Sequence, residues 1–303
     1  SNKQNLINFK FLKIVKDIIF FYKNAEKINE NEYQNQTLED FLKFKKMSDY
    51  FINFHIIPMV AAIWSMPLKL AEKMPMTLFL SFFRNHGLLK LKNRPQWYTV
   101  TDRSRSYVKK VLENISGEIF KNYRINNISR NDDNVRISIG NEYLDYDHVV
   151  LACHADQSLN ILEETTVKEK EILNKFTYVS NRAFLHNDEN LMPLRKKAWS
   201  SWNSITKDKK TCVTYWLNKL QNLETTKNYF LTLNPVVEIK ENKIIKKEQF
   251  THPYFNNENV SLQKDLHLLQ GRKRTWFCGS YFGYGFHEDG LKSSIELIKK
   301  FNK

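Results

Sequence analysis

Glycine and cysteine are scarce in this chain of 303 residues. The eight glycines exclude glycine-rich low-complexity tracts, and none of them precedes Gly87. The three cysteines, Cys153, Cys212 and Cys278, lie singly in apolar runs, with no CxxC pair and no histidines at metal-binding spacing. This pattern argues against a disulfide framework and predicts buried thiols, no metal site and a reducing, cytoplasmic environment.

Long apolar runs are also lacking. No segment reaches the roughly 18 to 20 apolar residues that a membrane-spanning helix needs, so we expect a soluble protein that at most rests on a membrane surface. The net charge of +14 would suit nucleic acid or anionic lipid. The lysines are spread along the whole chain, however, and no nucleic-acid motif is present, so we expect solvated basic faces and no nucleic-acid partner.

The periodicity of the chain predicts interleaved helical and β-rich blocks. Residues 1 to about 95 are mainly helical, beginning with an amphipathic helix over Leu6 to Tyr22 that places Leu12 and Ile19 on its apolar face. An alternative is that the basic face of this helix rests on anionic lipid. A later helix should bend at Pro58. Beyond the helical block we expect short strands, four of them antiparallel within residues 181–234.

Four of the eight glycines fall between Gly279 and Gly290. Glycine is needed where backbone approaches a ligand closely or adopts positive φ, so FCGSYFGYGFHEDGLKSS predicts a strand, a ligand-wrapping turn and a helix that begins at Gly290. The N-terminus of that helix would suit the electron-rich edge of a flavin. Asp289 could accept a hydrogen bond from a ribose or ribityl hydroxyl. A plain glycine-rich turn with an acidic cap is an equally good interpretation of spacing alone.

The same segment, TWFCGSYFGYGFHEDGLKSS, resembles the C-terminal FAD motif of the flavin amine oxidase and phytoene desaturase superfamily. Further stretches, in the same order, resemble the bacterial NAD/FAD-binding, amine-oxidase-like branch of that group: NHGLL, RPQWYTV, RSYV, DHVVLACHADQSL, AWSSWN, TYWLNKLQ, YFLTLNP and HPYF. The resemblance covers nearly the whole chain. It implies a two-domain α/β fold that binds FAD or NAD(P), with an α+β substrate domain.

By this resemblance, residues 98–155 and 271–303 would form the FAD-binding domain, and residues 1–97 and 156–270 the interleaved substrate domain. The cofactor would be FAD. The residues expected to contact the flavin and its ribityl chain are Gly279, Ser280, Asp289, Gly290 and Leu291. Ile125 would offer its backbone to the adenine, and Ala152 would pass beside the cofactor. The alternative for both of these residues is an ordinary buried strand position.

Two departures from the family pattern bear on cofactor binding. The βαβ unit with GxGxxG that family members carry near their N-terminus is not in the sequence. Because the chain starts with Ser1 and enters a helical pattern within a few residues, we expect an N-terminally truncated fragment with an incomplete FAD-binding domain. In addition, Asp102 and Arg103 stand where related proteins carry paired glycines before the SRxYV helix. The polypeptide could therefore bind FAD poorly or not at all.

The candidate catalytic residues are His287, His86 and Tyr215. Amine oxidases place an aromatic ring at the position of His287, so the histidine argues against simple amine oxidation and offers an acid or base near neutral pH. A hydrogen-bonded structural histidine is an equal alternative. His86 and Tyr215 would line the substrate cavity, with satisfied core groups as the alternative.

The resemblance thus implies an FAD-dependent oxidoreductase that transfers a hydride from a substrate C–H bond to flavin. The aromatic content of 14% is compatible with a small, apolar substrate such as a fatty acyl chain or a polyene. An amine is the alternative substrate. A different class of function is a non-catalytic remnant or partner-binding protein that keeps the fold without FAD. The sequence does not determine the oligomeric state or the electron acceptor.

Overall fold

A computed structural model describes residues 8–208 and 210–302, apart from the side chain of residue 31. The α-helices are α1 Phe9–Ala25, α2 Leu38–Phe44, α3 Asp49–Phe51, α4 Ile57–Ile63, α5 Leu68–Glu72, α6 Met76–Asn85, α7 Ser104–Leu112, α8 Ala155–Ile161, α9 Val167–Leu173, α10 Leu217–Leu220, α11 Asn257–Leu262 and α12 His287–Phe301. A π-helix spans Ile52–Ile56, and short 3-10 helices span Glu30–Tyr33, Glu189–Leu191, Lys196–Ala198, Glu241–Lys243, Gln263–Leu269, Arg272–Arg274 and Ser280–Phe282.

The strands are β1 Ile125–Arg130, β2 Val135–Ile139, β3 Glu142–Tyr146, β4 Val149–Leu151, β5 Thr177–His186, β6 Trp202–Lys207, β7 Lys210–Trp216, β8 Phe230–Leu233, β9 Ile244–Tyr254 and β10 Thr275–Phe277. Among the residues described, no helix is long and apolar enough to span a membrane.

The chain divides into two compact units, and each is built from two separate stretches. Unit 1 comprises residues 1–116 and 179–252, and unit 2 comprises residues 117–178 and 253–303. The two domains expected from the sequence are defined differently, as the residues that bind the cofactor and the residues that bind the substrate. That division stays a prediction.

The helices of unit 1 follow the capping signals of the sequence. Thr37 accepts the N–H of Asp40 through Oγ1, and the Asp40 carboxylate accepts the N–H of Thr37, which completes a capping box at the start of α2. The predicted apolar face of α1 is wrong in part, because Leu12 and Ile19 are 43% and 40% exposed. Helix α1 packs by its C-terminal end, where Phe21 is buried.

The helical segment that follows Ser48 changes its pitch just before Pro58, where the sequence predicts a bend. The N–H of Ile57 reaches back five residues to the carbonyl of Ile52, which defines the π-helical turn. Pro58 has no N–H and cannot donate to the carbonyl of Phe54. The bend expected at Pro58 is therefore a widened turn, immediately before α4.

The sheet of unit 1 has the strand order β6-β7-β8-β5-β9. The pairs β6–β7, β7–β8 and β5–β8 are antiparallel, which confirms the antiparallel arrangement expected for residues 181–234. A buried polar row crosses this sheet. His186 Nε2 lies 2.7 Å from Thr232 Oγ1, and His186 Nδ1 accepts the N–H of Asp188. Burial lowers the pKa of His186 to about 4, so a neutral imidazole donates to Thr232 through Nε2.

Unit 2 contains an antiparallel sheet of order β1-β2-β3 and a separate parallel pair, β4 with β10. Strand β3 was not predicted, since its sequence EYLDY is largely polar and its residues are mostly exposed. Residues 155–176 contain two helices, α8 and α9. The core between these elements is apolar and includes Ile128, Leu151, Ile172, Phe176, Phe277 and Tyr281.

A buried ion pair joins β1 to α9 in unit 2. The Arg130 guanidinium donates to both carboxylate oxygens of Glu169, at 2.7 and 2.8 Å, and both side chains are buried. Arg130 also donates to the carbonyl of Glu164, and Glu169 accepts the N–H of Thr166. Burial raises the pKa of Glu169, but the bonds from Arg130 and Thr166 outweigh it and hold the pKa below its usual value of 4.5.

We predict that Glu169→Gln destabilises the protein by about 3–5 kcal/mol, because it leaves the Arg130 charge buried without its counter-ion. Chemical denaturation measures the change in the free energy of unfolding. Because the folded-state pKa of Glu169 is lowered, its contribution is present above pH 4.5 and is lost as the pH falls through the folded value. The control is Glu164→Gln, whose side chain is 81% exposed and forms an ion pair with Lys273. Equal effects of the two substitutions would contradict the prediction.

Candidate functional site

The candidate site begins where β10 ends. Strand β10 pairs with β4 in parallel register, Thr275 opposite Val149 and Phe277 opposite Leu151. The pairing continues one residue further, since the N–H of Cys278 donates to the carbonyl of Leu151. Burial raises the pKa of the Cys278 thiol, which keeps it protonated. The chain then leaves the pair at Gly279.

Gly279 is required by the local geometry. Its φ of +153° is unfavourable for residues with a side chain, and an added Cβ would lie 2.8 Å from the ring of Tyr281. The N–H of Gly279 donates to Ser293 Oγ at 2.9 Å, and that hydroxyl donates to the carbonyl of Gly290 at 2.7 Å. The sequence prediction of a tight glycine turn after this strand is therefore confirmed.

Helix α12 begins at His287, so the expectation that Gly290 is its first residue is wrong. Phe286 is extended, and its carbonyl already accepts the N–H groups of Asp289 and Gly290. The Asp289 carboxylate in turn accepts the N–H of Phe286 at 2.9 Å. The helix therefore starts three residues earlier than predicted, and Asp289 serves as part of its cap. A ligand hydroxyl would have to share this carboxylate with the Phe286 amide.

Gly283 and Gly290 differ in what surrounds them. An added Cβ at Gly283 would meet the Asp289 carboxylate, so the protein itself requires glycine there. At Gly290, an added Cβ would meet nothing closer than the backbone nitrogen of Ser280, at 3.8 Å. Glycine inside a helix is destabilising by roughly 0.5–1 kcal/mol relative to alanine. No contact among the described residues accounts for a glycine at position 290.

Tyr281 is buried in this turn, whereas its neighbours are half-buried or exposed. The Tyr281 hydroxyl is buried and has no hydrogen-bond partner within residues 8–208 and 210–302. Burial, followed by the nearby Tyr178, raises its pKa well above the usual value, so it stays a protonated donor. An unsatisfied buried donor is unfavourable, and an ordered water or a polar ligand atom would relieve it. Leu291, by contrast, is 57% exposed on α12.

A second part of unit 2 brings Ile125 and the end of β4 together. A cavity of about 950 Å³ lies there, and it is lined by Tyr123, Arg124, Ile125, Asn126, Cys153, Gln157, Asn160 and Ile161. Ala152, next to Cys153, is exposed. Ile125 is 37% exposed, so the buried-strand alternative does not describe it. The sequence prediction missed Arg124 and Gln157. The signal for Gln157 is a polar row on α8, where Gln157 and Asn160 lie one turn apart, whereas Arg124 lies just before β1 and has no such pattern.

His154 and Tyr178 stack beside the end of β4. Their rings are 4.0 Å apart between centroids and are tilted by 9°. Tyr178 Oη accepts the N–H of Ala155 at 2.9 Å, and burial raises the Tyr178 pKa far above its usual value. The stacked pair fixes the chain where it passes from β4 into α8.

The three candidate catalytic residues are divided between the two units. His287 is the exposed first residue of α12 in unit 2, and its catalytic role stays a prediction. His86 ends α6 in unit 1, where its ring stacks on Phe82 at 4.0 Å and Nδ1 lies 2.9 Å from the Phe82 carbonyl. Tyr215, also in unit 1, packs edge-on against Trp202. Burial raises the pKa of Tyr215, against a smaller lowering by a hydrogen bond with Ser65.

Asp102 and Arg103, which replace the expected paired glycines, keep a backbone conformation that favours glycine. Their φ angles are +59° and +69°, both in the left-handed region. Such angles are uncommon for residues with side chains and store strain. The turn before α7 therefore combines side chains with a backbone conformation that favours glycine.

Comparison with known proteins identifies the fold. The sequence matches no protein-family model. It matches no curated protein sequence either. Solved structures do match. A CLA-producing fatty acid isomerase from P. acnes aligns with a TM-score of 0.66 at 12% identity, over 97% of this chain and 75% of that one.

Two amine oxidases match similarly. Putrescine oxidase bound to putrescine aligns with a TM-score of 0.65 at 9% identity, over 100% of this chain and 77% of the other. Cyclohexylamine oxidase from Brevibacterium oxydans aligns with a TM-score of 0.59 at 9% identity, over 96% and 75%. The chain has the amine-oxidase-like flavoprotein fold. The predicted fold class is confirmed, and at these identities the likeness shows the fold alone.

The turn at Gly279 generates a stability prediction. Gly279→Ala should destabilise the protein by at least ~2 kcal/mol, because the new methyl group would press on the Tyr281 ring and the φ angle is unfavourable. The matched control in unit 2 is Gly117→Ala, where an added Cβ meets nothing within 4 Å. The midpoint of urea denaturation measures both. If both variants unfolded at the wild-type midpoint, the steric argument would be wrong.

Proposed function

We propose that this protein is an FAD-dependent oxidoreductase whose flavin binds at the turn and helix that begin with Gly279. The observation that carries the proposal is Gly290. It lies in the first turn of α12, and an added Cβ there would make only an ordinary van der Waals contact, 3.8 Å from the nitrogen of Ser280. A ligand packed against the backbone at this point would account for a glycine that the protein contacts leave unexplained.

The residues present suit a flavin in three respects. The first turn of a helix carries partial positive charge, which favours the electron-rich edge of an isoalloxazine. Gly279 and Ser280 bring backbone close to that helix turn, since the nitrogen of Ser280 is the nearest atom to the Cβ position of Gly290. The Tyr281 hydroxyl supplies an unsatisfied donor in the same turn. Ser280, Gly290 and Leu291 would hold the ring, and Asp289 the ribityl chain.

The other end of FAD would bind at the 950 Å³ cavity of the same unit. There Ile125 and Ala152 would offer backbone to the adenine, and Arg124 contributes positive charge near a phosphate. The sequence contains no GxGxxG loop, which usually holds the pyrophosphate. Binding through the remaining contacts alone would be weaker than in a complete dinucleotide site.

A bound flavin would supply the capacity to accept a hydride from a substrate C–H bond. The protein's part is to hold the substrate, exclude water and manage protons. His287 at the start of α12 is the proposed acid or base, and His86 and Tyr215 are proposed to line the substrate side. We favour a small apolar substrate, such as a fatty acyl chain or a polyene, and an amine is the alternative. The matched structures include enzymes named for both kinds of substrate.

A partner-binding role without FAD is the second candidate, and the surface of α12 favours it. Four apolar side chains follow one another at intervals of three or four residues and are 42–57% exposed: Leu291, Ile295, Ile298 and Phe301. Helix α7 likewise has no buried residue among its described positions. Apolar rows of this kind are typical of surfaces that another protein element covers.

A flavin titration separates the two candidates. Purified protein mixed with FAD and passed through a desalting column should retain absorbance near ~370 and ~450 nm, as bound oxidised flavin does. Protein that emerges colourless at saturating FAD would contradict the oxidoreductase proposal and favour the partner-binding role.

We predict that Gly290→Ala leaves the free energy of unfolding unchanged or raises it by up to ~1 kcal/mol, because alanine is the better helix former. The same substitution should weaken FAD binding at least about tenfold, since the methyl group would occupy the space proposed for the ring. Quenching of flavin fluorescence measures the affinity, and Gly117→Ala is the control. Unchanged FAD affinity in Gly290→Ala would remove the main support for this site.

A further inference from the structure

A small cavity lies in unit 1 beside α4 and strands β6 and β7. Its volume is about 240 Å³, which corresponds to roughly eight water molecules at ~30 Å³ each. Its lining residues are Phe54, His55, Pro58, Met59, Ala62, Ile63, Trp202, Asn203, Ser204 and Val213. Its lining residues all belong to unit 1, and the turn proposed to hold the flavin belongs to unit 2.

We propose that this cavity binds an aliphatic chain that carries an uncharged polar group, such as an alcohol, an amide or a protonated acid. Calling this ligand the substrate would rest on the proposed function. Binding itself needs no flavin.

The helical wall of the cavity is formed by two adjacent rows of side chains. Phe54, Pro58 and Ala62 are spaced four residues apart and form one row. The second row lies one residue further along the chain and starts with His55. The π-helical turn of Ile52–Ile56 contains Phe54 and His55, and such turns are frequent at functional sites because they re-aim side chains. Apart from His55, this wall is apolar.

The absence of charge is what defines the ligand class. None of the ten lining residues is an aspartate, glutamate, lysine or arginine, whereas the other four cavities identified in residues 8–208 and 210–302 each include at least one charged residue. An ammonium or carboxylate group placed here would lose its hydration without gaining a counter-ion. An alkyl chain, by contrast, gains from leaving water.

The polar groups of the cavity are neutral hydrogen-bonding groups. His55 Nε2 lies 3.0 Å from Tyr22 Oη, and burial, helped by the positive charge of Arg94, lowers the His55 pKa to about 4. The imidazole is therefore uncharged at neutral pH. Asn203 is held by the backbone of Ser200, to which it donates and from which it accepts. The exposed Ser204 offers a hydroxyl at the rim. Because the Asn203 amide is already bonded to the backbone of Ser200 and Thr214, the Ser204 hydroxyl is the group that would orient an uncharged polar group of a ligand.

Three eight-carbon probes test the ligand class by isothermal titration calorimetry at pH 7, with protein to which no FAD is added: 1-octanol, octanoate and octylammonium. We expect 1-octanol to bind at least about tenfold more tightly than either ion. Undetectable binding of 1-octanol, or ions that bind as tightly, would overturn the proposal. Because no FAD is present, failure of the flavin titration leaves this result unaffected.

Two substitutions test the location. Ala62→Phe should fill the cavity from the helix side, and Ser204→Trp should cover it from the strand side, so each should weaken 1-octanol binding at least about tenfold. Ser204 is exposed, so its variant keeps the test valid if Ala62→Phe does not fold. The matched control is Lys207→Trp, an exposed position on the same strand that does not line the cavity. If Ser204→Trp bound 1-octanol as the control does, the assigned location would be wrong.

Discussion

The hydroxyl of Ser293 holds the candidate flavin site together. It accepts the N–H of Gly279 and donates to the carbonyl of Gly290. Gly279 lies two residues after strand β10 and Gly290 lies in the first turn of α12, so a single side chain fixes the turn after the strand against the positive end of the helix. An added Cβ at residue 279 would lie 2.8 Å from the Tyr281 ring, so this turn requires a glycine at its start. The cofactor proposal depends on this arrangement.

Much of this junction can be predicted from the sequence, because glycine is scarce elsewhere in the chain. The cluster between Gly279 and Gly290 indicates a turn, and Gly279 adopts the positive φ that the cluster suggests. The start of the helix is not predictable in the same way. Glycine is unfavourable inside a helix, so the sequence suggests that the helix begins at Gly290. The bond from Phe286 to the Asp289 carboxylate, which starts the helix earlier, depends on how the preceding turn folds back.

Other features depend on partners far away in the sequence and could not be predicted. The charged pair of Arg130 and Glu169 joins residues 39 positions apart, and neither residue is distinctive in its own segment. Strand β3 is polar because its face is exposed, so it lacks the alternation that marks a half-buried strand. Tyr215 was predicted to line a substrate cavity. It packs against Trp202, which lines the cavity proposed to bind an aliphatic chain.

The left-handed conformations at Asp102 and Arg103 show that a turn can form with residues that do not favour its backbone angles. These positions carry side chains where glycine would be strain-free, yet the chain keeps the turn. The same separation of fold and sequence explains why structures only 9–12% identical align over nearly the whole chain. Function must then be argued from local chemistry, which here means an uncrowded glycine at a helix start and an uncharged cavity.

The most direct test of the flavin site uses the scarcity of glycine. Protein labelled with ¹⁵N-glycine has eight backbone amide signals, four of them from the segment between Gly279 and Gly290. On titration with FAD, we predict that the signals of Gly279, Gly283, Gly285 and Gly290 shift, while those of Gly87 and Gly140 do not. Unchanged signals from the four clustered glycines at saturating FAD would contradict the claim that this turn and helix bind the flavin.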